Sequence, residues 1–361
     1  MIGGGPAGLA AAIAARLKGF DVTVADAARP PIEKACGEGL MPDALAALER
    51  LGVAIGPDQS APFRGIRFVD DVDSVEANFP VRRGAGIRRI RLHQLLLDRA
   101  NEVGVRMLWG QRVSGISRGG ASISGQEIPC RWVIGADGQD SRVRCWAGLE
   151  SARHESVRFG FRRHYRLAPW SDYMEIHWGP GHQMYVTPVG PEELCVALIT
   201  RDSRLRLDDA LPCYPELARR LPGVVGLTAE RGAVTISRRL RGIVRGSTVL
   251  VGDASGSVDA ITGEGMCLSF RHAIALADAL AIGDLRSYES AHRRLGWRPA
   301  FMCRLMLSLD RSSWLRRRAI RALSSHPEIF SNMLAMHVGE CSFADFLSGA
   351  MLPLGWHILT T

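Results

Sequence analysis

The chain has 361 residues, and only two of them, Lys18 and Lys34, are lysines. No apolar run reaches the roughly 18 residues that a transmembrane helix needs. The best candidate near the end, residues 346–359, is interrupted by Gly349, Pro353, Gly355 and His357. No positively charged region precedes an apolar stretch at the start, so no secretory signal is expected. None of the eight cysteines forms a CxxC pair or has a histidine at metal-ligand spacing, which argues against a zinc site or a disulfide framework. No metal is expected, and a reduced, cytoplasmic chain is. Internal repeats and low-complexity tracts are absent as well. Arginine makes up the rest of the basic residues, and the net charge is +8. No zinc-finger, RNP or basic-zipper pattern accompanies them, so solvated arginine faces are preferred to nucleic-acid binding. Phosphate-bearing cofactors and anionic substrates suit such a surface.

What is present is an ordinary globular mixture, 47% apolar and 23% charged, large enough for one big or two modest domains. The first third alternates helix and strand. Residues 9–18 form an alanine-rich helix ended by Gly19, and residues 20–25 a strand closing at Asp26. Helices over 42–51 and 92–103, and strands over 105–109 and 131–136, continue the alternation. Between about 158 and 241 the pattern changes to short alternating strands (173–178, 183–187, 194–200, 232–238), which predicts an antiparallel sheet. A strand over 248–251 and a helix over 266–281 return to the first pattern, and helices finish the chain. The reading is an α/β cofactor domain (1–65, 85–155, 240–285), a β-rich substrate domain (66–84, 156–239) and a helical C-terminal region (286–361).

Three motifs carry chemistry. The first is Gly3-x-Gly5-x-x-Gly8, with Pro6 and Ala7 inside it, opening a helix and followed by Asp26 at the end of the next strand. The first glycine makes the tight turn, the second admits a pyrophosphate, and the third packs helix on strand. The helix N-terminus offers free N–H groups, and Asp26 suits ribose hydroxyls. Only Met1 and Ile2 precede Gly3, whereas a strand usually has about five residues. A two-residue central strand leaves ladder groups unpaired, so missing residues ahead of Met1 are preferred to a stunted strand. The second motif is Gly135-Ala136-Asp137-Gly138, after a buried strand. The third is Gly252-Asp253, followed by Thr262-Gly263-Glu264-Gly265-Met266.

In this order the motifs resemble those of the p-hydroxybenzoate-hydroxylase-like FAD flavoproteins. That group includes aromatic monooxygenases, flavin-dependent halogenases and geranylgeranyl-reductase-like enzymes. The resemblance runs from Gly3 to about Ala281. It implies a Rossmann-like FAD-binding domain (GR2-type) interrupted by an antiparallel β-sheet substrate domain, with a helical C-terminus. It also implies FAD as cofactor, with NAD(P)H as a transient reductant lacking its own Rossmann domain. Carried over residue by residue, Gly3, Gly5 and Gly8 hold the pyrophosphate and Asp26 the adenosine ribose. Arg91 matches a family arginine near the phosphates, Asp137 is a cofactor contact, and Asp253 takes the ribityl or pyrophosphate region. Gly263, Gly265 and Met266 put a helix N-terminus under the flavin pyrimidine, where its dipole favours negative charge on the reduced ring.

The segment Lys34-Ala35-Cys36-Gly37-Glu38-Gly39 resembles the Cys-Gly-x-Gly stretch of the geranylgeranyl-reductase-like branch, which brings Lys34, Cys36 and Gly37 to the flavin. The aromatic-rich Phe-Pro stretch of prenyl reductases is reduced here to Tyr185 near Pro188. The halogenase motif Gly-Trp-x-Trp-x-Ile-Pro is absent. Two chemistries follow: a monooxygenase-like tailoring enzyme hydroxylating a hydrophobic small molecule, which is preferred, and reduction of carbon–carbon double bonds in an isoprenoid or polyene. A non-catalytic flavin-binding protein is the remote third. Cys36 is either a reactive thiol or an inert one under the ring. Glu264 is either a proton relay or simply an acid favoured at a helix start. Tyr185, His177 and His182 are proton-transfer candidates in the sheet. Residues 302–318 form an apolar and arginine-rich helix, for which a solvent-faced position is preferred to one on a membrane.

Overall fold

The computed structural model describes residues 1–71, 73–150 and 152–360. Val72, Ser151 and Thr361, which fall inside the expected domain spans, lie outside the described residues.

The cofactor sheet is parallel but for the short edge strand Val244–Arg245, antiparallel to Thr248–Leu250. Arg106–Trp109 pairs with Thr23–Asp26, and Val133–Gly135 pairs with Thr248–Leu250. Ile2 joins the two halves by bridging Ala25 on one side and Gly135 on the other. Its N–H donates to Ile134 O at 2.8 Å, and Gly3 N–H donates to Ala25 O at 2.9 Å. The N–H of Ala25 and of Ala136 in turn donate to the carbonyls of Met1 and Ile2. The stub therefore satisfies the ladder on both flanks. The helix Pro6–Leu17 follows with proline in its first turn, and all its alanines but Ala7 are buried. Small side chains let it lie close against a second core helix, Gly265–Ile282. That helix is long and apolar enough to cross a membrane, unlike any continuous apolar run in the sequence. It carries Arg271 and His272, and 61% of it is buried inside the fold, as a core helix is.

The second sheet has seven strands in the order Arg231–Leu240, Ala152–Arg166, Glu193–Thr200, His182–Gly190, Tyr173–Trp178, Gly65–Val69, Ser74–Asn78. All pairings are antiparallel except one. Tyr173–Trp178 runs parallel to Gly65–Val69, so an early strand, beginning one residue before the expected 66–84 segment of the substrate domain, joins the sheet through a parallel pairing in place of the antiparallel one expected. Its outer face, with Met184, Val196 and Leu198, is covered by the short helices Leu207–Ala210 and Pro215–Arg220. Its inner face, with Met174, Ile176, Trp178, Tyr185 and Ala197, forms a core with the C-terminal helices. Those are Leu285–Arg311, Ser313–Ser325, Pro327–Val338 and the segment Phe343–Phe346, Leu347–Met351, Leu352–Thr360. The single helix expected over 302–318 is two helices. Ser312 breaks it, and its hydroxyl caps the next helix by accepting from Leu315 N–H.

Candidate cofactor and substrate site

One cavity of about 1120 Å3 lies between the two sheets. Its floor is the C-terminal edge of the parallel strands, where open α/β sheets bind ligands. Gly3, Gly5, Pro6, Ala7 and Asp26 line it there, with Asp137 from the second motif and Gly252 and Asp253 from the third. Lys34, Cys36 and Gly37 form one wall. Gly263, Glu264, Gly265 and Met266 form another, and Tyr185 stands in the sheet above. The site residues expected from the sequence therefore meet in one space except Gly8, Arg91, His177 and His182.

Gly8 sits behind the cavity. A Cβ there would stand 1.9 Å from Gly3 O, so the position belongs to helix-on-strand packing. Arg91 points outward, its guanidinium donating to Asp58 O at 3.2 Å. The expectation of a phosphate arginine at Arg91 is corrected: Arg89, one half-turn earlier, lines the cavity. Its Nε is buried without a partner. Helix phase explains the difference, because residues two apart point to nearly opposite sides of a helix.

The acids at the motif ends differ in availability. Asp26 accepts from Gly4 N–H at 2.7 Å and from Ala28 N–H at 2.8 Å, which fixes the glycine turn. Asp137 accepts from Ser141 Oγ and from the N–H groups of Arg142 and Val143, so it caps the helix Arg142–Trp146. Asp253 has Lys34 at 3.8 Å.

Around Cys36 the structure builds a strut that the sequence did not announce. Glu38 adopts a positive φ of 62° and is buried. One carboxylate oxygen accepts from Arg89 N–H at 3.0 Å, and the other lies 2.6 Å from His164 Nε2. Arg162 Nη1 donates to His164 Nδ1 at 2.9 Å, which puts the histidine proton on Nε2, facing Glu38. Arg162 is anchored in turn by Glu33 at 2.8 Å. Glu38, His164 and Cys195 lie close enough to share a cation. The Arg162 guanidinium against the same imidazole opposes one, and the existing hydrogen bonds account for the group. Burial pushes the Cys36 thiol up, outweighing the nearby Arg89 charge.

Glu264 is buried beside the helix start at Gly265, and its Oε1 lies 2.9 Å from Nδ1 of His337, on the helix Pro327–Val338. Burial lowers the histidine, but the facing carboxylate outweighs it and the net shift is upward. Tyr185 donates its hydroxyl proton to Ile261 O at 2.7 Å, and burial raises it further. His177 and His182 lie on the outer face of the sheet. The first is 2.9 Å from Glu175, and the second bonds the Tyr214 hydroxyl. Neither lines the cavity.

Both core helices, Pro6–Leu17 and Gly265–Ile282, begin at the cavity, which suits phosphate at one end and an electron-accepting ring at the other. Gly5, Gly37, Gly138, Gly263 and Gly265 leave open space where a Cβ would stand. Arg89 Nε and His272 Nε2 are buried polar atoms without partners at its edge. Glycine cradle, acid, phosphate-facing helix and orphan donors together fit a flavin dinucleotide.

The FAD binding domain family profile matches residues 1–283. The chain belongs to this family. It is similar to menaquinone reductase from Mycolicibacterium smegmatis, at 28% identity over 86% of this chain and 84% of that one. It is also similar to digeranylgeranylglycerophospholipid reductase 1 from Methanothermobacter thermautotrophicus, at 27% identity over 82% and 79% of the two chains. Among solved structures, a flavoprotein/dehydrogenase from Cytophaga hutchinsonii superposes with a TM-score of 0.85 over 99% of this chain and 97% of that one, at 18% identity. This member of the FAD binding domain family is an FAD-dependent oxidoreductase. NAD(P)H is the reductant typical of the family.

Proposed function

We propose that this oxidoreductase reduces a carbon–carbon double bond in a hydrophobic, isoprenoid-like substrate. The observation that carries the reading is the Cys36 thiol in the cavity wall, its Sγ accepting from Glu38 N–H at 3.3 Å while the Glu38 carboxylate is held by His164 at 2.6 Å. Reduction of an alkene needs a hydride on one carbon and a proton on the other. FAD, when bound and reduced, supplies the hydride. Cys36 would give the proton, its loop held by Glu38. Gly3, Gly5, Arg89 and the start of the helix Pro6–Leu17 would hold the phosphates, and Asp26 the ribose. Glu264 and the start of Gly265–Ile282 would face the pyrimidine edge. Phe161, Met174, Ala197, Ile199 and Val234 give the sheet side of the cavity an apolar surface suited to a hydrocarbon chain.

Hydroxylation, the preference from sequence, needs a base to activate an electron-rich ring. The three candidates in the sheet do not supply one, because Tyr185 is bonded to a carbonyl and His177 and His182 face the other way. The names of the two relatives, a menaquinone reductase and a reductase of a geranylgeranyl phospholipid, support reduction. The cysteines other than Cys303 form no disulfide among the described residues, which supports a reducing, cytoplasmic setting.

The test is anaerobic. Photoreduced holoprotein is mixed with menaquinone or a geranylgeranylated lipid in deuterated water. Flavin reoxidation with solvent deuterium incorporated into the saturated bond is expected. Cys36→Ala should slow it by about 10²–10⁴ with flavin content unchanged. Flavin that reoxidises only when O2 is admitted, with an oxygenated product, would establish hydroxylation instead.

A further inference from the structure

The C-terminal helix shows large apolar side chains to solvent along one side. Phe343 is 44% exposed, Leu347 42% and Leu352 64%, and Trp356 continues the row. Residues Leu347–Met351 form a wider π turn. The extra residue in that turn keeps Leu347 and Leu352 on the same side, although an α-helix would separate positions five apart. The opposite side is conventional: Phe346, Ala350 and Leu354 are buried in the core. The helix is thus apolar on both sides, and one of them faces water.

Neighbouring helices extend this surface with aromatic rings and arginines. Trp297 and Phe301 on Leu285–Arg311 meet Phe343 edge-on, with ring centroids 5.5 and 5.9 Å away. Arg304 and Arg311 follow at helical spacing on the same side and are exposed. On Ser313–Ser325, Trp314 is 55% exposed under the Arg318 guanidinium, and Arg318 donates to Ile358 O at 2.8 Å, tying the two helices together. Arg317 is exposed beside them. Among the described residues, Arg304, Arg311 and Arg317 have no acid within salt-bridge reach. Residues 285–361 hold ten arginines against five acids. Of those acids, Asp310 is buried and Asp345 is bonded to Ser342.

We propose that this face docks on an anionic lipid bilayer. Aromatic and leucine side chains interleaved with arginines suit the boundary between acyl chains and charged headgroups. A second copy of the chain is disfavoured as occupant, because a twofold contact through this face would set its arginines against each other. The buried side of Leu285–Arg311 supplies Met302 and Met306 to the core behind Met174 and Tyr185, which stand in the cavity wall. Docking would hold the substrate end of the cavity near the membrane. The proposal stands apart from the choice of reaction, since vesicle binding is measured without turnover.

The experiment floats the FAD-loaded protein with vesicles of phosphatidylcholine alone or with added phosphatidylglycerol. Co-flotation that needs phosphatidylglycerol and weakens as salt rises is expected. Leu347→Glu with Leu352→Glu should weaken it at least tenfold, and Arg304→Glu with Arg311→Glu should remove the dependence on phosphatidylglycerol. Flavin content and melting temperature should be unchanged in both variants, showing that they fold. Absence of flotation, or flotation indifferent to both pairs of substitutions, overturns the proposal. A wild-type dimer that the leucine pair makes monomeric in light scattering overturns it in favour of self-association. Vesicle binding with no reduction of lipid substrates would leave docking intact and remove the reading of the reaction.

Discussion

At the scale of single residues, two arginines separated by one position have opposite fates. Arg89 lines the cavity with an unpartnered buried Nε, while Arg91 is exposed on a loop carbonyl. A guanidinium meeting a pyrophosphate makes charge-assisted hydrogen bonds, each worth roughly 1.5–3 kcal/mol. Arg89→Ala should therefore weaken FAD binding roughly tenfold or more, and Arg91→Ala should leave it within a factor of about two. Titration of the apoproteins with FAD decides between them, and equal losses would return the role to Arg91. The glycines and acids of the motifs were legible in the sequence because backbone geometry dictates them. A glycine is required where a Cβ would strike Gly3 O, as at Gly8, whatever the rest of the fold does. Which arginine of the helix lines the cavity was not legible, because its side depends on helix phase. Glu38 stood in a recognised motif, but its partners His164 and Arg162 come from a strand over a hundred residues away, and alternation in a strand does not say which neighbour a histidine meets.

At the scale of elements, the helix Pro327–Val338 reaches the cofactor site through one side chain. His337 faces Glu264 at 2.9 Å, and the carboxylate raises the histidine despite burial. Asp43 adds to the same pull from the helix Pro42–Arg50. A group raised in the folded state stabilises it fully below its unfolded value of about 6.5 and loses that contribution as pH rises through the folded value. Wild type should therefore exceed His337→Gln in melting temperature most at about pH 6, with the gap closing towards about pH 9. A gap that widens with pH would mean that the pair is not ionic. The elements themselves were legible where periodicity was strong. The strand Tyr173–Trp178 and the helices Pro42–Arg50 and Gly265–Ile282 lie within a residue of expectation. The ribbon Val113–Ile116, Gly120–Ile123, Gln126–Pro129 was not, since its glycines and serines hide the two-residue alternation. The parallel union of Tyr173–Trp178 with Gly65–Val69 was not legible either, because a pairing across a hundred residues leaves no local pattern.

At the scale of the whole molecule, the family match ends at residue 283, yet the fold does not divide there. The cofactor half has its own core around Leu9, Ile13, Val249 and Phe270. The inner face of the large sheet does not. Phe63, Phe68, Ile176 and Trp178 are buried against Met302, Met306, Ile320, Phe330 and Met333 of the C-terminal helices. Phe68 meets Phe330 with ring centroids 4.7 Å apart. Arg158, wholly buried in the sheet, bonds Asp259 near the cofactor and Asp310 in the helix Leu285–Arg311. Removing residues 284–361 would uncover at least four large apolar side chains, each worth about 1.5–3 kcal/mol when buried. It would also leave the Arg158 charge half-compensated, at a cost of about 3–5 kcal/mol. Together these match or exceed the roughly 5–15 kcal/mol that holds a domain folded. The fragment 1–283 is therefore expected to be recovered insoluble or as an aggregate without flavin. Size-exclusion chromatography with absorbance at the flavin band checks this. A monodisperse, flavin-loaded fragment with a cooperative melt would mean that the C-terminal helices are an attachment and not the second half of the core.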